Sequence, residues 1–314
     1  MIHPSDIGAR RFAHQAMATE FEIFCVHPDG DYAQQACWAA FDLLDRLENE
    51  LSRFIPNSDI SRINHLAFGQ SVRVSRWTME CLELAREAFE ETGGAFDISL
   101  GTRLQRLQLS PLDCLVTMGK LKHAPPIAIE GGACFSLPSP PVRLDLGGIG
   151  KGYAVDRMAE VLDEWDIRQA LIHGGHSSVL ALDAPPGLDG WPLTMGERTV
   201  HARRRAFSAS GIRSQGDHIL DPRTGLAVGG RVAAWVSLEL EGSPSPSAVA
   251  EAYSTAFMIL PAAEVDAIRA QHPGMEAWLL EATVGGADPL LIQPGRPARG
   301  PAADQGVRPT GITK

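Results

Sequence analysis

Three stretches of this 314-residue chain carry side chains that could do chemistry together. The densest runs Asp145-Leu146-Gly147-Gly148-Ile149-Gly150-Lys151-Gly152-Tyr153-Ala154-Val155-Asp156, where glycines surround one lysine. Glycine lets backbone N–H and C=O groups approach a ligand closely, and a helix opening behind such a turn favours phosphate. The spacing is neither the GxxxxGK[ST] phosphate loop nor the GxGxxG dinucleotide fingerprint, so a purely structural turn stands beside the ligand reading. The second stretch, Asp217-His218-Ile219-Leu220-Asp221-Pro222-Arg223-Thr224-Gly225, sets a histidine next to a strong turn signal. His218 reads either as a structural group at a strand edge or as a proton acceptor. In the third, Glu251 and Thr255 lie four apart and so share one helical face. A carboxylate with a hydroxyl one turn later can hold a hard cation such as Mg²⁺ through oxygens, though such pairs also arise without function.

Positioning these groups falls to elements that the apolar pattern outlines. Residues 20–26 alternate as a half-buried strand, with Phe21, Ile23 and Cys25 on one face. Cys37, Ala40, Phe41, Leu44, Leu47 and Leu51 repeat at helical spacing over residues 32–51, and residues 52–64 are a polar loop with a short helical turn. A second amphipathic helix, over residues 77–91, stops at Gly93-Gly94. Residues 103–141 are interrupted by prolines and have no assignable period. A strand over 142–146 leads into the glycine turn, and a helix follows with Ala154, Met158, Val161, Leu162 and Trp165 on its apolar side. Strands are expected over 170–173, 179–182, 206–209, 218–220, 232–240 and 277–280, and helices over 247–259 and after Pro261. This irregular mixture favours an α+β fold over a doubly wound sheet. Residues 293–314 read as a disordered tail and residues 1–16 as an N-terminal extension.

Composition narrows the function. At 44% apolar and 21% charged residues the chain can build a sizeable core, which excludes disorder along its whole length. Acidic residues exceed basic ones, 38 against 28, and the only basic block is Arg203-Arg204-Arg205, which argues against nucleic acid as a partner. No apolar run is long enough to span a membrane, and the first residues lack the pattern of a secretory signal. The five cysteines are scattered, with no CxxC pair, which reads as buried thiols in a reducing compartment rather than a zinc site. A cytoplasmic location is expected.

In this order the motifs resemble those of the ApbE family of FAD:protein FMN transferases. The resemblance extends over residues 17–280. Its carriers are Met17-Ala18-Thr19, the segment 51–64, Thr92-Gly93-Gly94-Ala95-Phe96-Asp97-Ile98, the stretch from Asp145 to Asp156, His173-Gly174-Gly175, Ala209-Ser210-Gly211, His218 to Gly225, and Ala250-Glu251-Ala252-Tyr253-Ser254-Thr255-Ala256. It implies an α+β, T-fold-related body of two interleaved lobes over residues 17–292. It also implies transfer of FMN from FAD to a threonine of an acceptor protein, with release of AMP and with Mg²⁺ as cofactor. Carried over by position, Glu251, Thr255 and the Gly148 carbonyl would hold the metal, and Lys151 and Gly147 would meet the diphosphate. His218 would help deprotonate the attacking hydroxyl, while Met17, Phe54, Asp97, Gly174 and Gly175 would line the flavin nucleotide. The chain departs from the family pattern in having Glu251 for an aspartate, Ala18 for a glycine, and His176-Ser177-Ser178 after the paired glycines. A water in place of the threonine would make the same site an FAD pyrophosphatase, and loss of metal geometry would leave a flavin-binding protein.

Overall fold

The alternation in residues 20–26 becomes strand β2 (Thr19–Cys25), whose Phe21, Ile23 and Cys25 enter one core while Phe24 enters another on the opposite face. The computed structural model describes residues 8–67, 70–100, 127–129, 132–136, 143–195, 198–211, 219–224, 227–228, 230–281 and 292–294. Strand β1 (Arg10–Ala16), inside the stretch set apart in the sequence as an extension, pairs antiparallel with β2. Its turn is Met17-Ala18, with φ of 50° and 58°, as a two-residue type I′ hairpin requires.

Helix α1 (Gly30–Leu51) follows, with Asp29 capping the N–H groups of Asp31 and Tyr32. Its buried face carries the expected apolar residues, extended back to Ala33 and Ala36. Helix α2 (Asp59–Asn64) is the short turn foreseen in the polar loop, and β3 (Ser71–Val74) precedes helix α3 (Arg76–Glu91). That helix ends on Gly93 and Gly94, which both adopt positive φ. Strands β4 (Ile127–Ile129) and β5 (Gly132–Ser136) join β3 in a small sheet, within the region that had no readable period.

Helix α4 (Gly150–Glu164) leads to β6 (Ala170–Gly174) and β7 (Ser178–Ala181), then β8 (Trp191–Met195), β9 (Arg198–Ala202) and β10 (Arg205–Gly211). The two-residue pair β11 (Ile219–Leu220) and β12 (Ala227–Val228) precedes the long β13 (Arg231–Glu239). Helices α5 (Pro246–Phe257) and α6 (Ala262–Gln271) lead to β14 (Glu276–Glu281), and β15 (Ile292–Pro294) pairs with β8. Strand β15 thus crosses the boundary at which the sequence set its tail, whose remainder lies outside the described residues.

Seven strands form one sheet in the order β1-β2-β6-β7-β10-β13-β14, every pair antiparallel. One face receives α1, α4 and α5, burying Ile172, Leu180, Ala206, Ala234 and Val236, and α3 packs behind them against α1 and α5. The other buries Leu171, Val179, Phe207 and Trp235 against Trp191, Leu193 and Ala202 of β8 and β9. Mixed helices over an antiparallel sheet match the α+β expectation.

Two local expectations change. The strand over 142–146 is not formed in its described part, 143–146. There Leu144 exchanges hydrogen bonds with the Asn64 side chain instead of a strand partner, and Asp145 N–H donates to the Ile98 carbonyl at 2.8 Å. Helix α4 begins at Gly150, so Lys151 lies in its first turn and not in the loop before it.

His173 of β6 yields a pH prediction. It is 1% exposed with its Nε2 unpartnered, and burial, aided by His176, pushes its pKa down from 6.5 to about 3. The neutral ring is the form the fold accepts. Its contribution is therefore complete above pH 6.5 and is lost as pH falls towards 3, by about 1.4 kcal/mol per unit. Denaturant midpoints measured from pH 7 to 4 should fall more steeply for the wild type than for His173→Leu; parallel curves would contradict this.

Candidate functional site

The site is built where the first turns of α4 and α5 meet. A Cβ at position 152 would stand 2.2 Å from the Ser247 carbonyl oxygen, so Gly152 is what allows the two backbones to touch. At this crossing Glu251, only 4% exposed, reaches from α5 into the first turn of α4. Its Oε2 accepts the Gly152 N–H at 2.7 Å, and its Oε1 lies 2.5 Å from Lys151 Nζ. Residue Ile149, at the N-cap of α4, offers no side-chain cap, so the carboxylate of Glu251 takes that place at the positive end of the helix. The Lys151 ammonium also donates to the Gly147 carbonyl at 3.3 Å, which suspends it between a carboxylate and the glycine turn.

Thr255, one turn beyond Glu251, donates its hydroxyl to the Glu251 carbonyl at 3.1 Å. Gly148 adjoins it: a Cβ there would stand 3.4 Å from Thr255 Oγ1 and 3.2 Å from the Phe96 ring. The three residues expected to hold a metal are therefore neighbours. Their donors are hard oxygens, with a cation, the Lys151 ammonium, already seated between Glu251 and a glycine-turn carbonyl. That chemistry suits Mg²⁺, which prefers oxygen and commonly completes its shell with water and substrate phosphate. Among the described residues no cluster of three or more His, Cys, Asp or Glu could hold a metal, so a metal here would depend on Glu251 and on non-carboxylate oxygens.

The remaining expected residues, His218 excepted, connect to this crossing through short chains of contacts. A Cβ at Gly174 would lie 3.6 Å from the Lys151 carbonyl, which sets the β6–β7 turn against α4. Gly175, with φ of 66°, donates to the Glu20 carbonyl, and a Cβ on it would strike Thr19 Oγ1 at 2.6 Å. The Met17-Ala18 hairpin is thus the next neighbour, held by Met17 N–H on Glu48 Oε1 at 2.8 Å. Asp97 is buried and accepts the Ser99 N–H at 2.8 Å, shaping the turn whose Ile98 carbonyl receives Asp145. Asp145 also links outward: its Oδ1 accepts the Gly147 N–H and its Oδ2 pairs with Arg53 Nε at 2.8 Å. The Arg53 guanidinium lies 4.1 Å from the centroid of the Phe54 ring, which is 77% exposed. With Arg53 over the ring and most of the side chain exposed, Phe54 leaves a stacking surface open at the rim of a polar turn. His218 lies outside the described residues.

One cluster was not assigned a role from the sequence. Ser210 of β10 lies 2.9 Å from Ser254 Oγ and 3.4 Å from Thr255 Oγ1, and Ser254 donates to the same Glu251 carbonyl as Thr255. The signal was present in Ala209-Ser210-Gly211, but only the pairing of β10 beneath α5 shows what it touches.

Comparison with known proteins bears on the fold and the family. A FAD:protein FMN transferase of Klebsiella pneumoniae is 30% identical over 206 residues, covering 59% of this chain and 64% of that protein. One from Vibrio cholerae is 24% identical over 258 residues, or 71% of this chain and 74% of that protein. Among solved structures, a histidine-to-glycine mutant of flavin transferase ApbE from Vibrio cholerae superposes with a TM-score of 0.71 at 19% identity, covering 90% of this chain and 97% of that one. The ApbE protein of Thermotoga maritima gives 0.67 at 21% identity, over 91% and 96%. These structural likenesses carry the fold. The sequence model of the ApbE family matches residues 17–279, so the chain belongs to that family.

Proposed function

We propose that this chain is a Mg²⁺-dependent FAD:protein FMN transferase, which moves FMN through its phosphate onto a threonine of an acceptor protein and releases AMP. The observation that carries the reading is the convergence of Lys151, Glu251, Thr255 and Gly148 at the crossing of α4 and α5. A lysine set in a glycine turn, where backbone can approach closely, favours a diphosphate. The exposed Phe54 fits the flat flavin ring, and relatives named for this activity support the substrate.

In this account Lys151 turns from Glu251 towards the diphosphate and orients it in line with the attacking hydroxyl. His218 takes the proton of the threonine hydroxyl as its oxygen bonds to the FMN phosphorus. The bond from that phosphorus to the bridging oxygen breaks, and the oxygen leaves with AMP. When bound by Glu251, Thr255 and the Gly148 carbonyl, Mg²⁺ would neutralise charge on the phosphate oxygens. The Gly152 N–H holds Glu251 in place before substrate arrives, so that once Lys151 has turned to the diphosphate little reorganisation is left for the reaction itself.

The domain proposed for this activity spans residues 17–292, and its sheet also takes in β1 from the preceding residues. A cytoplasmic location belongs to the same proposal and rests on the buried free thiols Cys25, Cys37 and Cys81, the first two joined by a 3.9 Å thiol–thiol hydrogen bond and not by a disulfide. Among the described residues no helix is long and apolar enough to cross a membrane.

Titration tests the diphosphate assignment. FAD should bind about 10- to 100-fold more tightly than FMN, which lacks the second phosphate, as expected from a charge-assisted contact of about 1.5–3 kcal/mol. Lys151→Met should remove most of that difference. Equal affinities in the wild-type protein would contradict the placement of the diphosphate.

A further inference from the structure

The capping of α4 by Glu251 has a counterpart running the other way. Helix α5, which carries Glu251 and Thr255, makes no side-chain cap of its own at Ser245. Its first-turn N–H groups go to Asp156 of α4 instead, Ser247 to Oδ1 at 3.0 Å and Ala248 to Oδ2 at 2.9 Å. Asp156 is 3% exposed and both partner residues are fully buried, so water cannot take over these bonds. Burial pushes the carboxyl up to about 7 against the pull of those N–H groups, so this group is costly to keep ionised here. Each helix therefore lends a carboxylate to the start of the other, one turn along from the point where Gly152 meets the Ser247 carbonyl.

We infer that Asp156 is a positioning residue, fixing the register of α5 against α4 and with it the placement of Glu251 and Thr255 relative to Lys151. This rests on the site reading proposed above. Asp156 touches neither Lys151 nor Glu251 through any bond described here and acts only through the two helices. A shift along this crossing moves Glu251 and Thr255 together, because both follow Ser247 on one continuous helix. A group hydrogen-bonded directly to a metal ligand is typically worth about 10- to 100-fold in metal affinity, and Asp156, acting one step farther out, is expected at the low end of that range.

The test compares the wild type, Asp156→Asn and Met158→Ala. The asparagine keeps one acceptor and turns a donor towards the second N–H, whereas Met158 is a fully buried core residue of α4 and serves as a stability control. Mn²⁺ and FAD affinities, thermal midpoint and hydrogen exchange are measured for each. For Asp156→Asn, Mn²⁺ and FAD should both bind about 10-fold more weakly, and the Ser247 and Ala248 amides should exchange faster. Met158→Ala, at an equal or larger loss of thermal midpoint, should hold both affinities within about threefold. Affinities that track the thermal midpoint in both variants, or unchanged affinities in Asp156→Asn, would overturn the inference. If Asp156→Asn fails to fold, the wild type still decides. First-turn amides lack partners inside their own helix, so strong protection of Ser247 and Ala248 supports the cap from α4, and fast exchange overturns it. A wild type that binds FAD but no Mn²⁺ would refute the metal reading separately, and the FAD arm would then judge Asp156.

Discussion

Glu251→Ala is expected to lower FAD cleavage by about 10³-fold or more, to the background of the assay. The substitution removes the only carboxylate among the three proposed metal-holding residues, the cap on the first turn of α4, and the partner of Lys151. The fold should survive, because the Lys151 side chain is 24% exposed and can turn to water. Circular dichroism should therefore remain that of the wild type while Mg²⁺ no longer stimulates AMP release. Glu251→Asp keeps the charge and withdraws it by about one C–C bond, roughly 1.5 Å, which loosens the hold on Gly152 N–H and Lys151 but restores the family's usual residue. Activity within about tenfold of wild type is expected for it, since Mg²⁺ completes its shell with water and phosphate. Full activity in Glu251→Ala, or in wild-type protein with excess chelator, would contradict the metal reading.

The second large effect is expected at His218. As a general base it should contribute about 10²- to 10⁴-fold, so His218→Ala should lose that factor in turnover while binding FAD with nearly unchanged affinity. The separation is diagnostic because a proton acceptor acts on the acceptor hydroxyl and not on the bound nucleotide. A variant that loses FAD binding and rate together would instead assign His218 to the structure of its segment.

Much of the framework was legible because its signals are local. The spacing of Cys37, Phe41, Leu44 and Leu51 in α1, and of Cys81, Leu82, Ala85 and Phe89 in α3, marks faces that are buried as expected. The alternation of β2 likewise places Phe21, Ile23 and Cys25 together. Strand β1 was hidden because Arg10 and Arg11 are both exposed and Phe12 and Ala13 both buried, which breaks the period of two. The start of α4 was misplaced for another reason. Gly150 and Gly152 are poor helix formers, and the compensating cap on the Gly152 N–H comes from Glu251, 99 residues away. Residue type and spacing likewise pointed to Lys151, Glu251 and Thr255, the family resemblance added Gly148, and the structure makes them neighbours. The Arg53–Asp145 pair and the cap by Asp156 depend on tertiary contacts and have no local signature, and the serines beneath α5 had a motif, Ala209-Ser210-Gly211, that did not say what it touches.

Transfer of FMN is separated from mere binding of FAD by a single assay. Purified protein is incubated with FAD, Mg²⁺ and a candidate acceptor bearing an accessible threonine, AMP release is followed, and the acceptor is then examined by mass spectrometry. The account predicts AMP in proportion to acceptor that has gained one FMN group on a threonine, with neither product formed when Mg²⁺ is chelated. AMP with only free FMN, at every acceptor concentration, would make the enzyme a pyrophosphatase, and FAD recovered bound but intact would contradict catalysis altogether.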